Sequence, residues 1–284
     1  MTPVAGPPSL QTSIELKVLE LQRWDVDAQL RDPSWARIGK LAGWTNGVCY
    51  IAAAVLFLLV DLEITWTPPE FTADQSILVK FTEFFASERD RWPQEFAYTI
   101  LFAVGFLALV PIGLALRDFL GRQLATSQMV AASFLAGGAI GAVNQLAFIG
   151  GKDAILDASR CPGCQDTPVI LISLQTSLTS LDGIVEWVGL GFFLLVGTGM
   201  LFASFAALDQ PAFSRNWIRL GMIVGFLYLA GIVAAVLDMD TLFQGVVGFG
   251  GGLLAPAWAI WFALQLKKTD VLPPPEEDLV PAKV

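Results

Sequence analysis

The sequence predicts an all-α, polytopic transmembrane bundle with six membrane-spanning helices. Three observations carry this. Of 284 residues, 55% are hydrophobic and only 15% charged, against about 25% charged in an average soluble domain. Mean hydropathy is +0.62. Six long runs contain no Asp, Glu, Lys or Arg: residues 41–60, 96–116, 123–151, 187–208, 220–237 and 241–266. A hydrocarbon core about 30 Å thick takes about 20 apolar residues in a helix, so each run is long enough to cross.

Residues 1–40 are expected to form a cytoplasmic N-terminal segment. Thr12-Ser13-Ile14-Glu15 has the pattern of a capping box. Ile14, Val18 and Leu21 then follow helical spacing, giving a narrow interfacial helix that Gln22 and Asp25 interrupt. The prolines near the start, with no basic region before an apolar core, predict no secretory signal peptide. The first span is expected to direct insertion.

In the connection from Asp61 to Glu95, Pro68-Pro69 ends any continuation of the first span. Ile77, Lys80, Phe81, Phe84 and Phe85 give an apolar helical face. It reads as a helix packed over the bundle or lying across its outer mouth. Residues 167–181 form a shorter run with six Ser/Thr, which suits an interfacial, re-entrant or buried segment leading into the fourth span. The tail, residues 267–284, carries Pro273-Pro274-Pro275-Glu276-Glu277-Asp278 and reads as extended and unpacked.

Alternate sides of a six-span chain differ in charge. Lys17, Arg23, Arg31, Arg37 and Lys40, then Arg117 and Arg122, Arg215 and Arg219, and three tail lysines lie on one side. Only Lys80, Arg89, Arg91, Lys152 and Arg160 lie on the other. The positive-inside rule therefore places both termini in the cytoplasm, with the inner (plasma) membrane as the expected location. Fifteen of the 26 acids fall on the outer side, which makes that face acidic and cation-attracting.

Composition excludes several functions. The chain has no histidine and a net charge of -9. This removes His-ligated haem or zinc, and the lack of a basic patch argues against nucleic acid. No lysine falls inside a charge-free run, so a retinal Schiff base is not expected. No glycine cluster ends in Gly-Lys-Ser/Thr, so no phosphate loop is read. No cofactor is expected.

Two groups of residues carry candidate chemistry. Cys161-Pro162-Gly163-Cys164 lies in the second outer connection, where an oxidising compartment permits a disulfide. A structural clip competes with a reactive thiol pair, metal binding or free thiols. Cys49 lies about 17 Å deep in the first span, too far for a simple relay, and reads as a packing residue. The second group is Asp182 and Glu186, one helical turn apart at the entrance of the fourth span. Asn144 in the third span and Gln244 in the sixth are expected to converge with them on an outward-facing polar pocket, with Gln145, Asp238 and Asp240 nearby. The alternative is that these residues mark the wet ends of helices.

The glycines read as packing devices. Gly137/Gly141 and Gly248/Gly252 are small-xxx-small pairs that let helices approach. Gly248-Phe249-Gly250-Gly251-Gly252 followed by Pro256 has a second reading, a break of the kind transporters place at substrate sites.

Residues 187–236 resemble an uncharacterised six-helix family of bacterial integral membrane proteins. The resemblance lies in Met200-Leu201-Phe202-Ala203-Ser204-Phe205, in Trp217-Ile218-Arg219-Leu220-Gly221 and in Gly225-Phe226-Leu227-Tyr228-Leu229-Ala230. The family usually has Pro-Arg directly before the Trp, whereas this chain has Arg215-Asn216, and the cysteine pair lies outside its pattern. The resemblance implies a six-span bundle but no catalytic residues. The sequence therefore points to a non-enzymatic envelope protein that binds or passes a small solute, cation or lipid. A membrane thiol-disulfide oxidoreductase using Cys161 and Cys164, or a structural subunit contacting partner membrane subunits, are the alternatives.

Overall fold

The computed structural model describes residues 33–61, 64–65, 69–70, 72, 74–122, 124–160, 184–208, 210 and 212–269. The expected interfacial helix, the 161–183 segment and the 270–284 tail lie outside them. The described chain is all-α: α1 Pro33–Asp61, α2 Ile77–Leu120, α3 Ala125–Ala158, α4 Ile184–Ala206, α5 Arg215–Val236, α6 Asp240–Phe249, a π turn Gly250–Leu254 and α7 Ala255–Thr269. Six stretches are long and apolar enough to span, the last running through α6, the π turn and α7. We call the end holding Val60, Glu95, Lys152 and Leu237 distal, and the opposite end basal.

Each span packs against its sequence neighbour, and α7 closes the ring on α1. Close approach at that closure depends on missing side chains. A Cβ on Gly43 would come within 2.7 Å of the Ala259 carbonyl oxygen, and one on Gly47 would overlap Ile260. Gly39 fits against Ala115 and Leu266 in the same way. This Gly-xxx-Gly-xxx-Gly row is the strongest small-residue seam in the bundle.

Aromatic residues seal the basal half. Trp217 and Trp258 stack with ring centroids 5.0 Å apart. Phe134 lies parallel to Trp258 at 5.9 Å, tying α3 to α7 across the ring. Phe213 and Phe262 extend the stack. The Trp217 indole N–H donates to the Trp258 carbonyl oxygen at 3.1 Å, so a buried donor is satisfied within the stack.

Three helices run beyond the charge-free stretches of the sequence. The helix expected over the outer mouth is no separate element. Residues from Ile77 onward continue into the second span as one 44-residue helix, about 66 Å long. It begins at Ser76, whose hydroxyl accepts from the Val79 N–H at 3.3 Å, and it passes through Pro93 and Pro111. α3 likewise runs past the end of its apolar run, through Lys152 to Ala158. The distal parts of α2 and α3 pack through a small core of Phe85, Ile155 and Leu156, which explains why the helices do not stop at the membrane boundary. Finally, α1 begins at Pro33, before the expected end of the N-terminal segment at residue 40.

Of the two glycine pairs, Gly137 and Gly141 do face close neighbours, Val196 and Phe192. Gly248 has nothing within 4 Å of its Cβ position, so Gly248/Gly252 is no helix seam. Gly250, Gly251 and Gly252 instead form the π turn. Local widening of a helix is a common feature of functional sites.

Candidate functional site

The interior changes character at one level of the bundle. On α1, Tyr50 and Ala53 are buried facing the core, yet Phe57, two turns above Tyr50 on the same face, is 44% exposed. On α2, Leu109 and Phe106 are buried, while Phe102 and Tyr98 on the same row are half-buried. α3 repeats the pattern, with Gly138 and Gly141 buried and Gln145 and Phe148 half-buried. So does α4, where Met200 and Val196 are buried and Phe193 and Gly189 half-buried. Helical periodicity aims all these residues inward. Four helices thus share a level of looser packing between the basal core and the buried Val60, Glu95 and Lys152 at the distal end, called the vestibule below.

Its walls are mainly aromatic. Phe57 meets Tyr98 edge to face at 5.6 Å. Tyr98 continues to Phe102 at 6.3 Å. Phe193 meets Phe243 of α6 at 6.2 Å and Tyr228 of α5 at 5.2 Å. The floor is a buried aromatic layer in which Tyr50 touches Phe106 at 5.3 Å, Phe106 touches Phe192 at 4.3 Å and Phe192 reaches Tyr228 at 6.3 Å. Gly141 makes that layer possible, because a Cβ there would press on both Phe192 and Phe106.

A buried ion network stands above the wall shared by α2 and α3. The Lys152 ammonium is 2.8 Å from a Glu88 oxygen and also bonds Glu95. Arg91 bridges the same acids, at 3.3 Å from Glu88 and 2.5 Å from Glu95. The side chains of Lys152, Glu88 and Glu95 are almost wholly buried, while that of Arg91 is partly exposed. Lys152 Nζ also lies 5.9 Å from the ring centroids of Trp92 and Phe148. Two acids against two bases leave the network neutral, the condition under which charges are tolerated away from water. The spacing 88, 91, 95 puts its α2 members on one helix face.

Asn144 is buried on α3 and points at Gly189 of α4, where a Cβ would lie 3.4 Å from Asn144 Nδ2. It therefore sits in the wall between these helices. Gln145, its neighbour, is half-buried. Gln244 is exposed on α6, a helix that packs on α5 and not on α3. Glu186 lies on α4 with its side chain outside the described part, and Asp182, Cys161 and Cys164 also lie outside. Cys49 is a half-buried free thiol on α1, beside Gly105 of α2. Among the described residues no group of three metal-ligating side chains occurs.

Sequence reasoning missed Lys152 and its partners because the bounding of apolar runs at charges put all four outside the spans. A usable signal was present: Glu88 to Glu95 is a two-turn period that ends where the apolar run begins. No protein-family model, no curated protein and no solved structure matches the chain.

Proposed function

We propose that this multi-pass membrane protein binds or passes a small solute, cation or lipid in the distal vestibule. In this reading the protein lies in the plasma membrane with both termini cytoplasmic, so the distal end faces outward. The single observation that carries it is one level, above a sealed basal half, at which Phe57 is exposed and Tyr98, Phe102, Gln145, Phe148 and Phe193 are only half-buried. A pocket with aromatic walls and few polar groups is the usual form of a small-molecule site. Asp182 and Glu186 would stand at its entrance, Asn144 and Gln145 in its wall and Gln244 on its far rim. The acidic outer face would concentrate cations there. Membership of the uncharacterised six-helix family belongs to the same reading and rests on residues 187–236.

The test is a thermal-unfolding panel on the full chain in nanodiscs. Sodium, potassium, choline, glycine and glucose are added at constant ionic strength, and a short-chain phosphatidylglycerol separately. A ligand that binds only the folded state raises the melting temperature. The reading expects at least one probe to do so for the wild type and not for Phe102→Trp, which fills the vestibule. No shift with any probe, or an equal shift in the filled variant, contradicts it. Orientation has its own test: an impermeant maleimide should reach Cys161 and Cys164 in intact cells, with or without prior reduction. Labelling only after permeabilisation overturns the topology.

One observation favours the structural-subunit reading. Between Ile77 and Glu95, α2 extends about 27 Å beyond its apolar run, braced by the far end of α3. Such an arm is suited to a partner subunit. Shortening it should release a copurifying protein if this reading holds.

A further inference from the structure

The ring of helices is closed at one level and open at another. α7 is locked onto α1 by Gly39, Gly43 and Gly47. Above the π turn the same span continues as α6, which packs on α5 and forms no interface with α1. Gly245, Gly248 and Gly252 lie on one side of this span, at steps of three and four residues. The lowest, Gly252, still meets α1, with a Cβ position 3.9 Å from Ala54. Gly248 and Gly245, one and two turns higher, meet nothing within 4 Å. A slot therefore widens between α1 and α6 toward the distal end, with Phe57 on its α1 edge.

Both edges belong to membrane-spanning stretches, Ser34–Val60 and Thr241–Leu266. The slot thus opens sideways at hydrocarbon depth and not only toward water. Phe193 and Phe243 meet on the α6 side at 6.2 Å, and Phe57 and Phe102 both meet Tyr98 on the α1–α2 side, aromatic carbon that offers a headgroup no ion pair. The ion network lies on the α2–α3 side, above the wall. A chain of methylenes is the occupant that matches this depth and lining, and the neighbouring leaflet supplies it at high concentration.

We propose that the acyl chain of a distal-leaflet phospholipid enters the vestibule through the slot between α1 and α6. The π turn sets the lower edge of the slot by directing α6 away from α1 while α7 stays docked. The inference rests on the vestibule reading above and names the lipid as its ligand.

The test uses the full chain in dioleoylphosphatidylcholine nanodiscs, with a benzophenone side chain placed at one position and crosslinked products weighed by mass spectrometry. Position 193 faces the vestibule, and position 226, on the exposed face of α5, reports ordinary boundary lipid. Both positions are expected to crosslink lipid. Gly248→Phe, which fills the slot without meeting a neighbour, should remove the lipid adduct at 193 and leave that at 226. Gly245→Phe serves as the second blocking variant, so that one misfolded protein does not decide the matter. No lipid adduct at 193 beside a normal one at 226 overturns the proposal. So does an adduct at 193 that survives both blocking variants, or one formed with a second copy of the chain. A water-soluble probe that still stabilises the wild type in that event would retain the vestibule and remove only the lipid.

Discussion

Phe57 of α1 and Tyr98 of α2 meet edge to face at 5.6 Å, one turn above the buried Ala53 and the half-buried Phe102. Tyr50 and Phe106, lower on the same two faces, also meet edge to face but form part of the packed floor. The two pairs mark the change from vestibule to core and separate residues that hold the fold from residues free to contact a ligand.

That difference is measurable as stability. Phe106→Ala removes a ring from a close-packed layer and should cost about 3–5 kcal/mol. Phe57→Ala loses a partly exposed ring and should cost well under half as much. Reversible unfolding of both variants in one detergent compares them, and equal losses would contradict the assigned boundary.

Lys152 should behave as the keystone of a coupled set. Lys152→Met leaves Glu88 and Glu95 with Arg91 as their shared base and should destabilise by about 3–5 kcal/mol. Adding Glu95→Gln to that variant should recover part of the loss, because the network regains charge balance. A double-mutant cycle reads the coupling, and simple additivity would show that the four groups do not act together.

Glycines that look alike in the sequence should respond oppositely. Gly43→Leu drives a side chain into the α7 backbone and should cost at least about 1–3 kcal/mol. Gly248→Ala fills open space in a helix and should stabilise by about 0.5–1 kcal/mol. Melting temperatures of the two variants test this directly.

The turn between α2 and α3 makes a further distinction. Gly121 has φ +104°, a conformation that L side chains rarely adopt. The Ser127 hydroxyl bonds its carbonyl oxygen and that of Leu124. Gly121→Ala should therefore cost about 1–2 kcal/mol, although the site is not fully buried. A neutral effect on unfolding would show that the turn relaxes.

The spans were legible in the sequence because charge-free runs of the right length have few other uses. Their ends were less so. Lys152 interrupts hydropathy locally, and what permits its burial is Glu88 and Glu95 on another helix, far away in the chain. The vestibule was hidden for a related reason. Phe57, Phe102 and Phe193 occupy the same helical phase as true core residues, and periodicity alone does not tell a filled interior from an open one. The expected polar pocket rested on Asp182 and Glu186 at the entrance of a span and on Asn144 and Gln244 as polar groups within spans. The aromatic character of the space beside Asn144 became visible only when four helices were compared at one level. The row Gly39, Gly43 and Gly47 was not singled out in the sequence, although its spacing of four is the same small-residue pattern, and it marks a tight seam between α1 and α7.

The most direct test of the open distal interior is thiol reactivity in a Cys49→Ala, Cys161→Ser, Cys164→Ser background. Single cysteines at Phe102, Phe193, Leu109 and Met200 are exposed to methyl methanethiosulfonate in detergent, and modification is followed by intact mass. The account predicts ready modification at positions 102 and 193 and protection at 109 and 200. Equal protection at all four positions in folded protein would contradict it.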